Sequence, residues 1–226
     1  MTPAQTTRRA LYGRAKGKAL RAHQAELMRE LAPRLAVDLA ALRGGRLFAP
    51  ERELWLEIGF GGGEHLLARA AENPDVGFIG CEPFVNGVAK LLAGIEASGL
   101  DNIRVHTDDA LALLDAVPDA AFARIYLLYP DPWPKRRQQK RRFVSERNIA
   151  ALARVLRPGG QLRFATDIDD YAGWTLRRFL ASPQFVWEAR TADDWRQPWE
   201  GWAPTRYEAK ARTAGRGSAY LTFRRK

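Results

Sequence analysis

Leu54-Trp55-Leu56-Glu57-Ile58-Gly59-Phe60-Gly61-Gly62-Gly63-Glu64-His65-Leu66-Leu67-Ala68-Arg69-Ala70 is the stretch on which the reading of this chain turns. Its apolar opening predicts a strand, the glycines break regular structure, and a helical run follows from Glu64. Strand, glycine loop and helix in that order form the first unit of a nucleotide-binding α/β fold. The same alternation continues downstream. A second strand ends at Cys81-Glu82 and leads into a helix over 85–97. A third spans Asn102–His106, with Asp108-Asp109 opening the next helix, and a fourth is the apolar run Phe122–Leu128. Phe143–Leu156 reads as a helix, Arg157-Pro158-Gly159-Gly160 as a turn, and Gln161–Thr166 as a strand with Asp167 at its end. A helix over Tyr171–Leu180 and strands at Phe185–Glu188 and Tyr220–Phe223 complete the pattern. A doubly wound, mostly parallel, seven-stranded α/β sheet is therefore expected.

Upstream of this unit, residues 1–18 show little periodicity and are expected to stay disordered until they meet a partner. Helical spacing starts at Leu20 and runs through Leu27, Leu31 and Leu35, with Pro33 marking a break or a new start, and Gly44-Gly45 ends it. Residues 1–50 are thus expected to be a basic arm and helical extension on a main domain of residues 51–226.

With 226 residues, one α/β domain with appended segments is the expected count. No apolar stretch is long enough to cross a bilayer, and the N-terminus lacks the apolar segment of a signal peptide, so a soluble cytoplasmic protein with no membrane partner is expected. The single cysteine, Cys81, falls in a predicted central strand and reads as a buried thiol. The three histidines are scattered without ligand spacing, and no metal site is indicated. Nothing in the sequence indicates an obligate protein partner.

The net charge of +10 is unevenly placed. Residues 1–25, 134–147 and 204–226 hold 20 of the 36 Lys and Arg and only Glu146 and Glu208 of the 26 acids, leaving 16 bases against 24 acids elsewhere. Basic segments around an acidic body suit a polyanion approached by particular faces, with a nucleic-acid backbone the foremost candidate.

Charge also bears on the cofactor. A dinucleotide loop reads G-x-G-x-x-G, with the pyrophosphate resting on the helix N-terminus. Here the glycines fall at 59, 61, 62 and 63, and Glu64 stands where the third dinucleotide glycine would be. Carboxylates at 57 and 64 repel a pyrophosphate and favour a ligand carrying a sulfonium and an ammonium, which points to S-adenosyl-L-methionine rather than NAD. Glu82, at the end of the second strand, can accept both ribose hydroxyls. Asp109 can face the adenine edge or merely cap its helix, and spacing leaves both open.

The fourth strand runs into Tyr129-Pro130-Asp131-Pro132-Trp133-Pro134-Lys135-Arg136-Arg137-Gln138-Gln139-Lys140-Arg141-Arg142. Three alternating prolines forbid helix or sheet pairing, so a stiff loop is expected to hold Asp131 and Trp133 in fixed directions ahead of a dense set of cations. Trp133 can stack on a base or pack on its own loop. Arg136, Arg137, Lys140, Arg141 and Arg142 are expected to contact RNA phosphates.

These segments together resemble the bacterial tRNA (guanine-N7)-methyltransferases. The resemblance is carried by Leu56–Gly61, Gly80-Cys81-Glu82, Asp109-Ala110, Tyr129–Lys135, Lys140-Arg141-Arg142, Ala165-Thr166-Asp167 and Thr205-Arg206-Tyr207-Glu208, in that family's order. It implies a class I methyltransferase (Rossmann-like) fold. It also implies transfer of a methyl group from S-adenosyl-L-methionine, released as S-adenosyl-L-homocysteine, to N7 of a guanine in the tRNA variable loop. Glu57, Gly59, Gly61, Gly63, Glu82, Asp109 and Asp131 are then cofactor residues, with Asp131 also catalytic. Lys135, Asp167, Thr205, Arg206, Tyr207 and Glu208 are then substrate residues. Tyr129 stands where the family usually has phenylalanine, and Gln138-Gln139 where it often has His-Asn. Rival readings are a non-catalytic RNA-binding protein on the same fold and a methyltransferase of a small molecule or protein. An NAD-dependent oxidoreductase conflicts with the glycine spacing.

Overall fold

Seven strands lie side by side in the computed structural model, which describes residues 17–48 and 51–226. They are β1 (Glu53–Ile58), β2 (Val76–Cys81), β3 (Ile103–His106), β4 (Phe122–Leu128), β5 (Leu156–Thr166), β6 (Phe185–Trp187) and β7 (Ala219–Arg225). Their order is β3-β2-β1-β4-β5-β7-β6. The first five run parallel, and β7 is antiparallel to both β5 and β6. The chain winds outward from β1 to β3 and then returns to place β4 against the other edge of β1. Such a reversal opens a crevice beyond the carboxyl ends of the two central strands. The glycine loop follows β1 and the proline-tryptophan loop follows β4, so the two loops singled out in the sequence face one crevice.

Period-two alternation sorts the strand side chains between two cores. Leu56, Ile58, Ile125, Leu127, Leu162, Phe164, Leu221 and Phe223 pack on one face beneath α5 (Ala110–Ala116), α6 (Glu146–Val155) and α7 (Asp169–Ala181). Trp55, Phe78, Tyr126, Leu128 and Tyr220 pack on the other, beneath α1 (Ala22–Leu35), α3 (Glu64–Glu72) and α4 (Val85–Ser98). Three shorter helices, α2 (Leu39–Arg43), α8 (Asp193–Arg196) and α9 (Arg206–Thr213), and a 3₁₀ turn at Arg136–Arg141 complete the described elements.

Several local expectations change. Pro33 does not break α1; it lies in the helix near its C-terminal end, where few backbone bonds remain to be lost. The helix expected from Phe143 starts at Glu146, because the Ser145 hydroxyl accepts from the Asn148 amide and caps it. The turn at Arg157–Gly160 is a register shift within β5, with Leu156 opposite Phe122 and Gln161 opposite Arg124. Residues 1–16 of the expected disordered arm lie outside the described residues. Gly17 and Lys18 are anchored: the Gly17 amide donates to Asn86 Oδ1 at 2.7 Å, and Asn86 Nδ2 donates to the Lys18 carbonyl at 2.8 Å. After α1, the Val37 amide donates to the Val105 carbonyl at 3.1 Å, so the extension is tied to the β3 edge of the sheet.

Candidate active site

The crevice is a cleft of about 740 Å³, walled by the glycine loop, the ends of β2 and β3, the proline-tryptophan loop, the basic turn and α6. Gly59, Gly61 and Gly63 have φ of +76°, +58° and +83°, values that side chains with a Cβ rarely adopt. Nothing lies within 4 Å of where a Cβ on Gly59 would stand, so the loop leaves open space toward the cleft. At its far end, the Glu64 carboxylate folds back over Gly62 at the start of α3. A carboxylate occupies the helix end on which a dinucleotide pyrophosphate would rest.

Glu82 holds this loop in shape. Its two carboxylate oxygens accept from the amides of Gly61, at 2.8 Å, and Phe84, at 3.0 Å. Burial raises the Glu82 carboxyl above its ordinary value, opposed by those two hydrogen bonds and by the nearby Arg206 charge. Asp109 caps α5 by accepting from the Leu111 amide at 3.1 Å and also lines the cleft, so capping does not take it out of the site.

One supporting residue escaped the sequence reading. Gly87, on α4, approaches the glycine loop so closely that a Cβ there would lie 2.2 Å from the Gly61 carbonyl oxygen. In an isolated helix alanine would be favoured over glycine by about 0.8–1.0 kcal/mol. Here a backbone clash outweighs that preference, so Gly87→Ala is expected to displace the loop and weaken S-adenosyl-L-methionine binding more than about tenfold. Calorimetry showing wild-type affinity would refute the contact's importance. No local signal marks this glycine, since it falls inside an ordinary helical run.

On the β4 side, Tyr129 and Trp133 adopt φ of +47° and +42° on either side of Asp131. Non-glycine residues in this region cost about 1–3 kcal/mol each and persist only where their surroundings hold them. Tyr129 is held by its hydroxyl, which donates to Ser218 Oγ at 2.9 Å, and by its amide, which donates to the Ala165 carbonyl at 2.8 Å. The Arg141 guanidinium sits over the Trp133 ring, 5.0 Å from its centre. Asp131 projects into the cleft and hydrogen-bonds no other described residue. Desolvation by the cleft walls raises its carboxyl above the ordinary value.

Of the other predicted residues, Tyr207, Lys140, Arg141 and, with a fully buried side chain, Arg142 line the cleft, and Arg206 lies over Gly61. Lys135, Arg136 and Arg137 are exposed; Lys135 precedes the 3₁₀ turn Arg136–Arg141 and does not line the cleft. Glu57 is buried, meets His65 Nδ1 of α3 at 2.7 Å and does not line the cleft. Asp167 is paired with Arg216 at 2.8 Å. Thr205 and Glu208 form the frame of α9: the Thr205 hydroxyl accepts from the Glu208 amide at 3.2 Å, and the Glu208 carboxylate is buried. Their T-x-x-E spacing is a helix-start signal visible in the sequence. Trp199 and Trp202 pack against the second core and donate to Thr222 Oγ1 and Glu208.

Arg142 departs from its expected role. Its side chain is fully buried, donating through Nε to the Pro132 carbonyl at 2.7 Å and pairing with Asp170. A guanidinium facing the interior is not placed to reach a phosphate.

The strand order with antiparallel β7, the glycine loop after β1 and the acids after β2 and β3 define a class I methyltransferase. Comparisons agree. Residues 51–221 match the family described as "Putative methyltransferase". The chain is 54% identical over 218 residues to the tRNA (guanine-N(7)-)-methyltransferase of Chelativorans sp. (strain BNC1), covering 95% of this chain and 94% of that one. It is 56% identical over 220 residues to the enzyme of the same name from Rhizobium johnstonii, covering 96% and 94%. The fold matches that of an rRNA methylase from Streptococcus thermophilus with a TM-score of 0.52 at 11% identity, over 92% of this chain and 99% of that one. The chain belongs to the tRNA (guanine-N7-)-methyltransferase family.

Proposed function

We propose that this protein methylates N7 of a guanine in the variable loop of tRNA, using S-adenosyl-L-methionine and acting through its 51–226 domain, with residues 1–50 as an appendage. The observation that carries this reading is one cleft with acids on its β2 and β3 side, cations on its β4 side and Asp131 reaching into it. The open space over Gly59 and the carboxylates of Glu82 and Glu64 suit a cofactor that presents ribose hydroxyls and positive charge. That cofactor supplies an electrophilic methyl group. Glu82 and Asp109 are the residues that would hold its ribose and adenine, with Gly59 and Gly61 beneath it.

Guanine N7 has an in-plane lone pair and carries no proton, so no general base is needed to make the nucleophile. The protein's task is alignment at near-attack distance. The base product is cationic, and a fixed carboxylate at 131 can stabilise charge developing on the ring or accept from guanine N1 or N2 to orient it. In this reading Trp133, Arg206 and Tyr207 position the nucleotide. Arg136, Arg137, Lys140 and Arg141 meet phosphates, with Lys135 and Asp167 as further substrate residues.

The test is to incubate the protein with S-adenosyl-L-methionine and unmodified tRNA and identify the product nucleoside by mass spectrometry. N7-methylguanosine is expected; any other product, or none with bound cofactor, defeats the reading. A companion prediction concerns salt. Neutralising Arg136, Arg137, Lys140 and Arg141 together is expected to flatten the dependence of log K on log salt by about 3, at roughly 0.7–0.9 per phosphate contact. An unchanged slope in filter binding would remove these residues from the interface.

A further inference from the structure

We propose that Arg142 is a positioning residue for methyl transfer, locking the loop that carries Asp131 through the Pro132 carbonyl rather than contacting RNA. This inference rests on the proposed reaction for its kinetic readout but not for its structural one.

The geometry is a four-sided enclosure. Arg142 Nε donates to the Pro132 carbonyl at 2.7 Å, the backbone group immediately after Asp131. Its Nη2 pairs with Asp170, in the first turn of α7. Its guanidinium lies 4.9 Å from the Tyr171 ring centre and 4.8 Å from that of Trp174, both on the same helix. The side chain is 0% exposed. The following residues are stapled to α7 as well, since Trp174 Nε1 donates to the Val144 carbonyl at 2.9 Å.

A buried charge is costly unless it is paired and hydrogen-bonded. A residue needed only to bind phosphate would keep its charge in water, as the exposed Arg136 and Arg137 do. The enclosure instead ties a strained loop, with Tyr129 and Trp133 at positive φ, to a rigid helix. Proline has no amide hydrogen, so Pro130, Pro132 and Pro134 cannot donate to hold this segment. The carbonyl of Pro132 is a remaining handle, and Arg142 grips it. A planar guanidinium suits the task because it can donate along one edge while lying over aromatic rings, which an ammonium cannot reproduce.

The test compares wild type with Arg142→Lys and Asp170→Asn. For Arg142→Lys, kcat is expected to fall about 100-fold, the scale of a misplacement of about 1 Å. The dissociation constants for tRNA and for S-adenosyl-L-homocysteine should stay within about threefold, and Asp170→Asn should give a smaller loss in the same direction. Exchange of the Tyr129 amide, which donates to the Ala165 carbonyl, is expected to quicken at least tenfold in Arg142→Lys, while β4 amides keep their protection. Unchanged exchange at Tyr129 overturns the proposal, as does a weakened tRNA affinity with kcat preserved. A wild-type protein that makes no N7-methylguanosine would defeat the proposed reaction alone, because the exchange comparison still decides the loop's anchorage.

Discussion

Asp131→Asn is expected to lower kcat for tRNA methylation by about 10²–10³-fold while leaving the protein as stable as wild type, or slightly more so, near neutral pH. The kinetic loss has the size associated with removing one preorganised electrostatic group from a reacting centre. Asparagine keeps the shape and one acceptor oxygen but not the charge that opposes a cationic base. The stability effect follows from linkage. Desolvation holds the folded-state Asp131 carboxyl above its ordinary value. An ionised Asp131 therefore opposes folding at neutral pH, and that cost is relieved as pH falls through the raised folded value. The asparagine variant escapes it, so its advantage in melting temperature should fade in acid. The wild-type rate should fall over the same descent, as the carboxylate takes up a proton. A variant retaining more than a tenth of wild-type kcat would restrict Asp131 to a minor role.

Glu208→Ala is expected to destabilise the fold by about 2–4 kcal/mol in urea unfolding. The carboxylate is 1% exposed and accepts from Trp202 Nε1 at 2.6 Å, from the Tyr220 hydroxyl at 2.9 Å and from Arg212 at 2.5 Å. Removing it strands an indole and a phenol donor in the second core, and each unsatisfied donor costs about 1–3 kcal/mol. The same residue ties α9 to β7, and α9 presents Arg206 and Tyr207 above the glycine loop. Glu208→Gln, which keeps an acceptor, should lose less stability than alanine. A loss below about 1 kcal/mol for alanine, with substrate affinity abolished, would mean that the carboxylate binds the guanine directly.

Where sequence reasoning succeeded, the deciding signals were local. Glycines at 59, 61 and 63 mark a loop because glycine adopts without strain the positive φ they take. The prolines at 130, 132 and 134 mark a stiff segment because they remove donors whatever surrounds them. The apolar strands and their alternation with helices announce a doubly wound sheet because the central strands are buried on both faces. Asp131, Glu82 and Asp109 were legible as a set because in such a sheet strand ends are where ligands bind.

What the chain could not disclose locally was the direction in which a side chain points after packing. Arg142 and Arg141 are adjacent cations in one basic run and both border the cleft, yet one guanidinium is sealed over Tyr171 and Trp174 while the other lies over Trp133. Glu57 and Glu82 both end central strands, yet one meets a buried histidine and the other the glycine loop. Gly87 matters only because α4 passes within contact of Gly61. Composition and spacing thus determined the sheet and its loops. Which carboxylates and guanidiniums face the cleft and which are buried in the fold was decided by tertiary contacts, because burial and pairing depend on neighbours tens of residues away.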